Sequence, residues 1–205
     1  MNRIYFVRHA KPDFSVKEDL IRPLTEDGIN DSKKVKDFLK DKNISKIYSS
    51  PYKRAIDTVK DLSNFLHLDI EVIDDFRERK VCDNWIEDFN KFCEKQWSDF
   101  NYSLDNGESL KEVQNRNIKE LHKILNKYDE ENIVIGTHGT ALSTIINYYD
   151  NNFNYSSFNK IKDIMPLIIL CEFDGINDSK KVKDFLKDKN ISKYIQVHIK
   201  EQYIQ

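Results

Sequence analysis

The chain has 205 residues and a formal net charge of −2, enough for one domain with a substantial core and too nearly balanced to give nucleic acid or an anionic membrane surface an electrostatic grip. Any anion it binds has to be held by a few local charges. No apolar stretch approaches the roughly 20 residues of a membrane span, Met1-Asn2-Arg3 leads into no signal-peptide core, and the widely spaced Cys82, Cys93 and Cys171 form neither a disulfide framework nor a zinc set, so a reduced, cytoplasmic protein is expected.

Ile4-Tyr5-Phe6-Val7 is β-branched and aromatic, the pattern of a strand. The polar segment from Lys11 to Pro23 holds two prolines and is expected to be a loop. Thr25 suits the N-cap of a helix to about Asp41, with Ile29, Val35, Phe38 and Leu39 on its apolar face. Ile44 to Ser49 is a second strand. Ser50-Pro51 then opens a helix with Pro in the first turn and Ile56, Val59, Leu62, Phe65 and Leu66 as its buried stripe. Asp69 to Ile73 is a third strand. From Asn84 to Tyr102 the aromatics Trp85, Phe89, Phe92, Trp97 and Phe100 recur at near-helical spacing, and Leu110, Val113, Ile118, Leu121, Ile124 and Leu125 mark a firmer amphipathic helix. Asn132 to Gly136 is a fourth strand, a helix through Ala141, Leu142, Ile145 and Ile146 follows, and Leu167 to Phe173 is a fifth strand.

Strands alternating with helices predict an α/β fold with a mainly parallel central sheet. Near-continuous apolar strands such as Ile133-Val134-Ile135 predict helices on both faces, a three-layer sandwich. In such sheets the ligand sits beyond the carboxyl ends of the strands.

Residues 27–46 and 174–193 are identical, DGINDSKKVKDFLKDKNISK. Chance does not produce this, and two copies do not make a solenoid, so a recent local duplication or recombination is expected. The first copy lies between strand-like segments and belongs to a domain spanning 1–173. The second falls in a segment, 174–205, expected to be peripheral. Oligomeric state is left open, a homodimer among the options.

The chemistry-bearing residues lie just past strand ends. His9 follows the first strand beside Arg8: an imidazole is largely unprotonated at neutral pH and nucleophilic, and a guanidinium offers a fork of donors to phosphate oxygens. Arg54 sits in the first turn of the helix after Ser50-Pro51, where unpaired amides and the helix dipole favour an anion. His138, in Gly136-Thr137-His138-Gly139-Thr140, repeats the position of His9 past the fourth strand, so the two can converge. A cationic or hydrogen-bonding His138 would stabilise a transferring phosphoryl group, and Gly139 would let the backbone approach it. Glu78, in Phe76-Arg77-Glu78-Arg79, is placed to protonate a leaving oxygen, provided Arg77 and Arg79 point away. Asp74 and Asp75 are rivals for that role. His67, His122 and His198 are expected to be structural or solvated, without partners, and arginines beside the two pocket histidines argue against a metal ion.

RHA at 8–10, SSPYKRA at 49–55, FRE at 76–78, NGESL at 106–110 and GTHGT at 136–140 occur in an order and spacing that resemble the histidine phosphatase superfamily, which includes phosphoglycerate mutases and many phosphatases. The resemblance implies that His9 becomes phosphorylated, that Arg8, Arg54 and His138 form the phosphate pocket, and that Glu78 is proton donor and then base for water. It also implies that Arg22, in Arg22-Pro23-Leu24-Thr25, lies near the phosphate, and that the aromatic segment 84–104 is a small helical cap. Most of that segment's side chains are expected to be core, with Trp85, Phe89 or Trp97 at the pocket mouth. Ala10-Lys11-Pro12-Asp13 departs from the Gly-Glu that follows the histidine in mutase-like members, and the mutases' long basic insertion is not recognisable. The expected activity is therefore hydrolysis of a small phosphorylated metabolite without metal or organic cofactor. Phosphoglycerate mutase, and a silent phospho-ligand binding module, are the alternatives.

Overall fold

In the computed structural model residues 1–83 and 86–173 are described, together with a two-residue strand at 198–199. The strands are β1 (Asn2–Arg8), β2 (Ile44–Ser49), β3 (Ile70–Val72), β4 (Asn132–Thr137), β5 (Leu167–Phe173) and β6 (His198–Ile199), in the sheet order β3-β2-β4-β1-β5-β6. β1, β2, β3 and β4 run parallel, β5 runs antiparallel to β1, and β6 runs parallel to β5. The helices are α1 (Glu26–Leu39), α2 (Lys53–Leu66), α3 (Phe89–Ser98), α4 (Leu110–Lys127), α5 (Gly139–Tyr149) and α6 (Tyr155–Ile161).

Side-chain alternation along β1 builds the three layers. Ile4 and Phe6 enter one apolar cluster with residues of α3, α4, α5 and α6, while Tyr5 and Val7 enter another with Val35 and Leu39 of α1 and Val59 and Leu62 of α2. Ile133 and Ile135 of β4 face the first cluster and Val134 the second. Each such aliphatic or aromatic residue removed from water contributes about 1.5–3 kcal/mol, so the sheet is stabilised from both sides. The α/β sandwich expected from the sequence is present.

Several local expectations are corrected. Ile29 and Phe65 are about half exposed. The buried stripe of α1 is Gly28, Asp31, Ser32, Val35 and Leu39, spaced i, i+3, i+4, i+7, i+11, and Ile29 lies one residue off it. Gly28 has no room for a side chain on that stripe, because a Cβ there would clash with the Lys11 carbonyl oxygen. In α2 the stripe is Ala55, Thr58, Val59, Leu62 and Ser63, which leaves Phe65 outside. That helix begins at Lys53 rather than at Pro51. His122 is not partnerless: its Nε2 lies 3.3 Å from the Tyr149 hydroxyl.

α3 is a core helix, as expected for most of the segment 84–104. Phe92, Cys93 and Trp97 are buried, with Trp97 packed on Phe100, Phe153 and Phe158. α4 starts with a capping box between Ser109, in the NGESL stretch, and Glu112 just beyond it. α6 was not anticipated. It is seven residues long, and Asn154 caps it by accepting from the Ser156 and Ser157 amides. The expectation of a peripheral segment from 174 onward, and the Trp85 side chain, lie outside the described residues.

Candidate active site

β1 and β4 are parallel neighbours with Arg8 opposite Thr137. The next residue on each is a histidine, and the His9 amide donates to the Thr137 carbonyl at 3.0 Å. Strand spacing of about 4.8 Å therefore sets the approach of the two rings, whose centroids are 5.2 Å apart. The two imidazoles therefore lie side by side at one edge of the sheet.

His9 is buried, and its Nδ1 donates to its neighbour's carbonyl, Ala10 O, at 2.8 Å. A carbonyl can only accept, so Nε2 carries the free lone pair of the neutral ring. Burial, and then the charges of Arg54 and Arg8, hold the His9 pKa well below its usual value. His138 is likewise held well below, by burial and then by Arg54, His9 and Arg8. Burial and the neighbouring charges favour the neutral form of both rings, and with it the hydrogen-bonding option for His138. Although His138 is the residue before α5, its ring does not cap that helix. Its Nε2 is 2.6 Å from Ser50 Oγ, and its ring lies edge-on to Tyr52 at 5.0 Å.

Arg8 donates through Nη1 to the carbonyls of Ile161 and Ile164 at 3.0 and 3.1 Å, so the end of α6 and the turn after it hold the guanidinium. Burial lowers its pKa to about 10, which leaves it charged at neutral pH. Gly139 packs on this group: a Cβ there would lie 3.0 Å from Arg8 Cζ. Arg54, 4 % exposed, stacks over Tyr52 at 4.7 Å and donates to the Asp19 backbone carbonyl at 2.7 Å and to both carboxylate oxygens of Asp19. Arg22 pairs with the same carboxylate and donates to the Val16 and Lys17 carbonyls. Thr58 joins the two walls, accepting from the Ala10 amide and donating to the Arg54 carbonyl.

The expectation that the first turn of α2 offers its amides to an anion is narrowed, because most of the amides there are already engaged. The Lys53 amide donates to Leu20 O, the Tyr52 amide to Ser50 Oγ, and the Ala55 and Ile56 amides to Tyr52 O. Those four donors are engaged within the chain, and Arg54 brings its guanidinium to the pocket.

Glu78 is tied to the start of α5. Its Oε1 accepts from the Arg79 and Ala141 amides and its Oε2 from the Thr140 amide. Oε2, with one partner, is the oxygen with room for a proton. Its flanking arginines take other partners: Arg77 pairs with Asp74, Asp75 and Glu108, and Arg79 reaches Gln96 and Cys93. Asp74 and Asp75 are thereby engaged by Arg77, whereas Glu78 faces the pocket.

Sequence reading missed what holds Glu78. Arg116 of α4 donates to the carbonyls of Asp75, Arg77 and Glu78 and pairs with Glu108 through Nε and Nη2. Burial pushes the Glu108 carboxyl up, but the hydrogen bonds from Arg116 and the Lys80 amide outweigh it and the net shift is downward. Glu108 and Arg116 are eight residues apart, and only the NGESL stretch signalled that anything there mattered.

The pocket has a volume of about 520 Å³ and is lined by Arg8, His9, Arg22, Arg54, Glu78 and Gly139 from the expected set. His138 is not part of the lining; its ring lies against those of His9 and Tyr52. Asp19, Arg79, Phe89, Phe158 and Lys162 also line the pocket. Phe89 fulfils the expectation of an aromatic at the mouth, while Trp97 belongs to the core.

Two imidazoles, paired arginines and a carboxyl group past the strand ends of an α/β sheet define the class, a phosphoric monoester hydrolase. The chain belongs to the histidine phosphatase superfamily, branch 1, whose sequence model matches residues 4–183. It is 29% identical over 152 residues to the Bacillus subtilis (strain 168) protein named uncharacterized phosphatase PhoE, covering 71% of this chain and 76% of that one. Two solved structures share its fold. Mycobacterial glucosyl-3-phosphoglycerate phosphatase superposes with a TM-score of 0.63 at 19% identity, over 73% of this chain and 79% of that one. A phosphoserine phosphatase mutant from Entamoeba histolytica, in complex with phosphoserine, gives 0.63 at 20% identity, over 78% and 85%.

Proposed function

We propose that the chain hydrolyses a small phosphate monoester by way of a phosphohistidine at His9, without metal or organic cofactor. The observation that carries this is the His9 ring: neutral, anchored through Nδ1 and 5.2 Å from a second imidazole. Nε2 attacks phosphorus in line, the N–P bond forms, the ester P–O bond breaks, and Glu78 gives the departing oxygen its proton. Arg8, Arg54 and an N–H of His138 hold the phosphoryl oxygens. Glu78 then takes a proton from water, which attacks phosphorus, breaks the N–P bond and releases phosphate. Positioning and fixed charge supply the acceleration.

Arg79 supports a narrower substrate class. It is 5 % exposed, lines the pocket, leaves Nε without a partner, and has no carboxylate within ion-pair distance among the described residues. Phe89 and Phe92 lie under its guanidinium. Burying a cation without a counter-charge costs several kcal/mol, a cost that a second anionic group on the substrate would offset. The substrate is a phosphorylated carboxylic acid.

Steady-state kinetics on O-phosphoserine and O-phosphoethanolamine, which differ only in the carboxylate, test both parts. O-phosphoserine is expected to have a KM at least about tenfold lower, and Arg79→Met to abolish the difference. Equal KM values would refute the substrate class. A panel of phosphorylated metabolites and p-nitrophenyl phosphate, with no hydrolysis that His9→Ala abolishes, would refute the reaction.

A further inference from the structure

Ser50 is wholly buried, at the turn between β2 and α2. Its amide donates to Gly136 O at 2.9 Å, which ties the turn to the end of β4 next to His138. Its hydroxyl oxygen makes two contacts: it accepts from the Tyr52 amide at 3.1 Å and lies 2.6 Å from His138 Nε2. The other ring nitrogen of His138, Nδ1, is buried without a hydrogen-bond partner among the described residues.

Each neutral form of the His138 ring leaves one buried proton unmatched, and the count of unmatched lone pairs decides between them. Were Nε2 protonated, it would donate to Ser50 Oγ. The serine oxygen would then accept twice, and its own proton would have no acceptor in a site closed to water. Nδ1 would be a bare lone pair unable to donate to anything. Were Nδ1 protonated, the serine hydroxyl would donate to Nε2 while accepting from Tyr52, so every proton but one is placed. The one left over is the Nδ1–H, on a ring whose centroid lies 5.2 Å from that of His9. Buried donors without acceptors are rare in folded proteins, and a phosphoryl oxygen on His9 supplies the missing acceptor.

We infer that Ser50 is a positioning residue: its hydroxyl donates to Nε2, holds His138 as the Nδ1–H tautomer, and so presents a neutral N–H to the transferring phosphoryl group. This rests on the phosphohistidine reading of the site and adds to it the tautomer and the residue that sets it. A neutral donor has a functional consequence. It stabilises the transferring oxygens in proportion to the charge they develop.

The test is long-range ¹H–¹⁵N NMR on protein labelled at histidine nitrogen, at neutral pH. The expected spectrum shows His138 with a protonated, pyrrole-type Nδ1 and a pyridine-type Nε2. A pyrrole-type Nε2, or an imidazolium, would overturn the inference. Ser50→Ala is expected to shift the ring towards the Nε2–H form and lower kcat for p-nitrophenyl phosphate about tenfold, the equivalent of one hydrogen bond. Ser50→Thr, which keeps the hydroxyl, should restore the wild-type tautomer. The tautomer is read without substrate, so the two readings fail separately. Hydrolysis that depends on His9 with an Nε2–H ring contradicts only the role of Ser50. An Nδ1–H ring with no hydrolysis contradicts only the reaction.

Discussion

The Asp19 carboxylate sits across the Arg54 fork, with Oδ1 3.1 Å from Nη1 and Oδ2 3.4 Å from Nη2. It also pairs with Arg22, so one loop carboxylate engages two guanidiniums expected at the phosphate. A phosphate approaching Arg54 competes with Asp19 for the same donors. The Asp19 side chain is about half exposed, which limits the pair to at most about 1 kcal/mol. Asp19→Asn should therefore strengthen inhibition by inorganic phosphate by up to about fivefold while leaving the fold intact. An inhibition constant that rises instead would mean that Asp19 orients Arg54 for the ligand rather than competing with it.

Glu78 should matter in proportion to how much the leaving group needs a proton. An alkoxide needs one and p-nitrophenolate hardly does. Glu78→Gln is expected to slow hydrolysis of an alkyl phosphate by about 10²- to 10⁴-fold and that of p-nitrophenyl phosphate far less. Equal loss on both substrates would assign Glu78 to holding the start of α5 rather than to proton transfer.

Gly139 lets the α5 backbone lie against Arg8. A methyl group there would come within 3.0 Å of Arg8 Cζ and 3.1 Å of Nη2. The guanidinium is held from the other side by Ile161 O and Ile164 O, so it has to shift as a unit. Gly139→Ala should lower kcat/KM about ten- to a hundredfold with little change in Tm, because alanine suits the first turn of a helix better than glycine. Unchanged kcat/KM would show that the position of Arg8 is not critical.

Both pocket histidines are depressed in the folded state, by burial first and by the arginines next. The unfolded chain takes up protons on them below about pH 6.5, while the native state resists doing so. Stability is therefore unaffected above that pH. It falls below it by up to about 1.4 kcal/mol per pH unit for each ring until the folded pKa is reached. Urea midpoints at pH 7.5 and 5.5 should differ accordingly, and His9→Asn should reduce the difference by about half. Midpoints that do not change between these pH values would contradict the burial of neutral rings.

Much of the fold was legible because its signals are local. Ile133-Val134-Ile135 and Leu167 to Cys171 are apolar runs that a sheet covered on both faces requires, and Thr25 marks a helix start in its own side chain. The pairing of His9 with His138 was legible in outline, since each follows a buried strand, but adjacency came only with the β1–β4 register. What the sequence hid are contacts between distant segments. Nothing near Arg8 indicates Ile161 and Ile164 as its partners, nothing near Glu78 indicates Arg116, and Asp19 in a polar loop carries no mark of its tie to Arg54. The neutrality of His138 was also out of reach, because it depends on burial.

The most direct measurement traps the covalent step. Protein mixed with a turned-over phosphomonoester, quenched in base and digested, should yield by mass spectrometry one base-stable, acid-labile phosphoryl group on the peptide carrying His9, present in Glu78→Gln and lost in His9→Ala. Turnover that persists in His9→Ala, or a phosphoryl group found on any other residue, would contradict the nucleophile placed at His9.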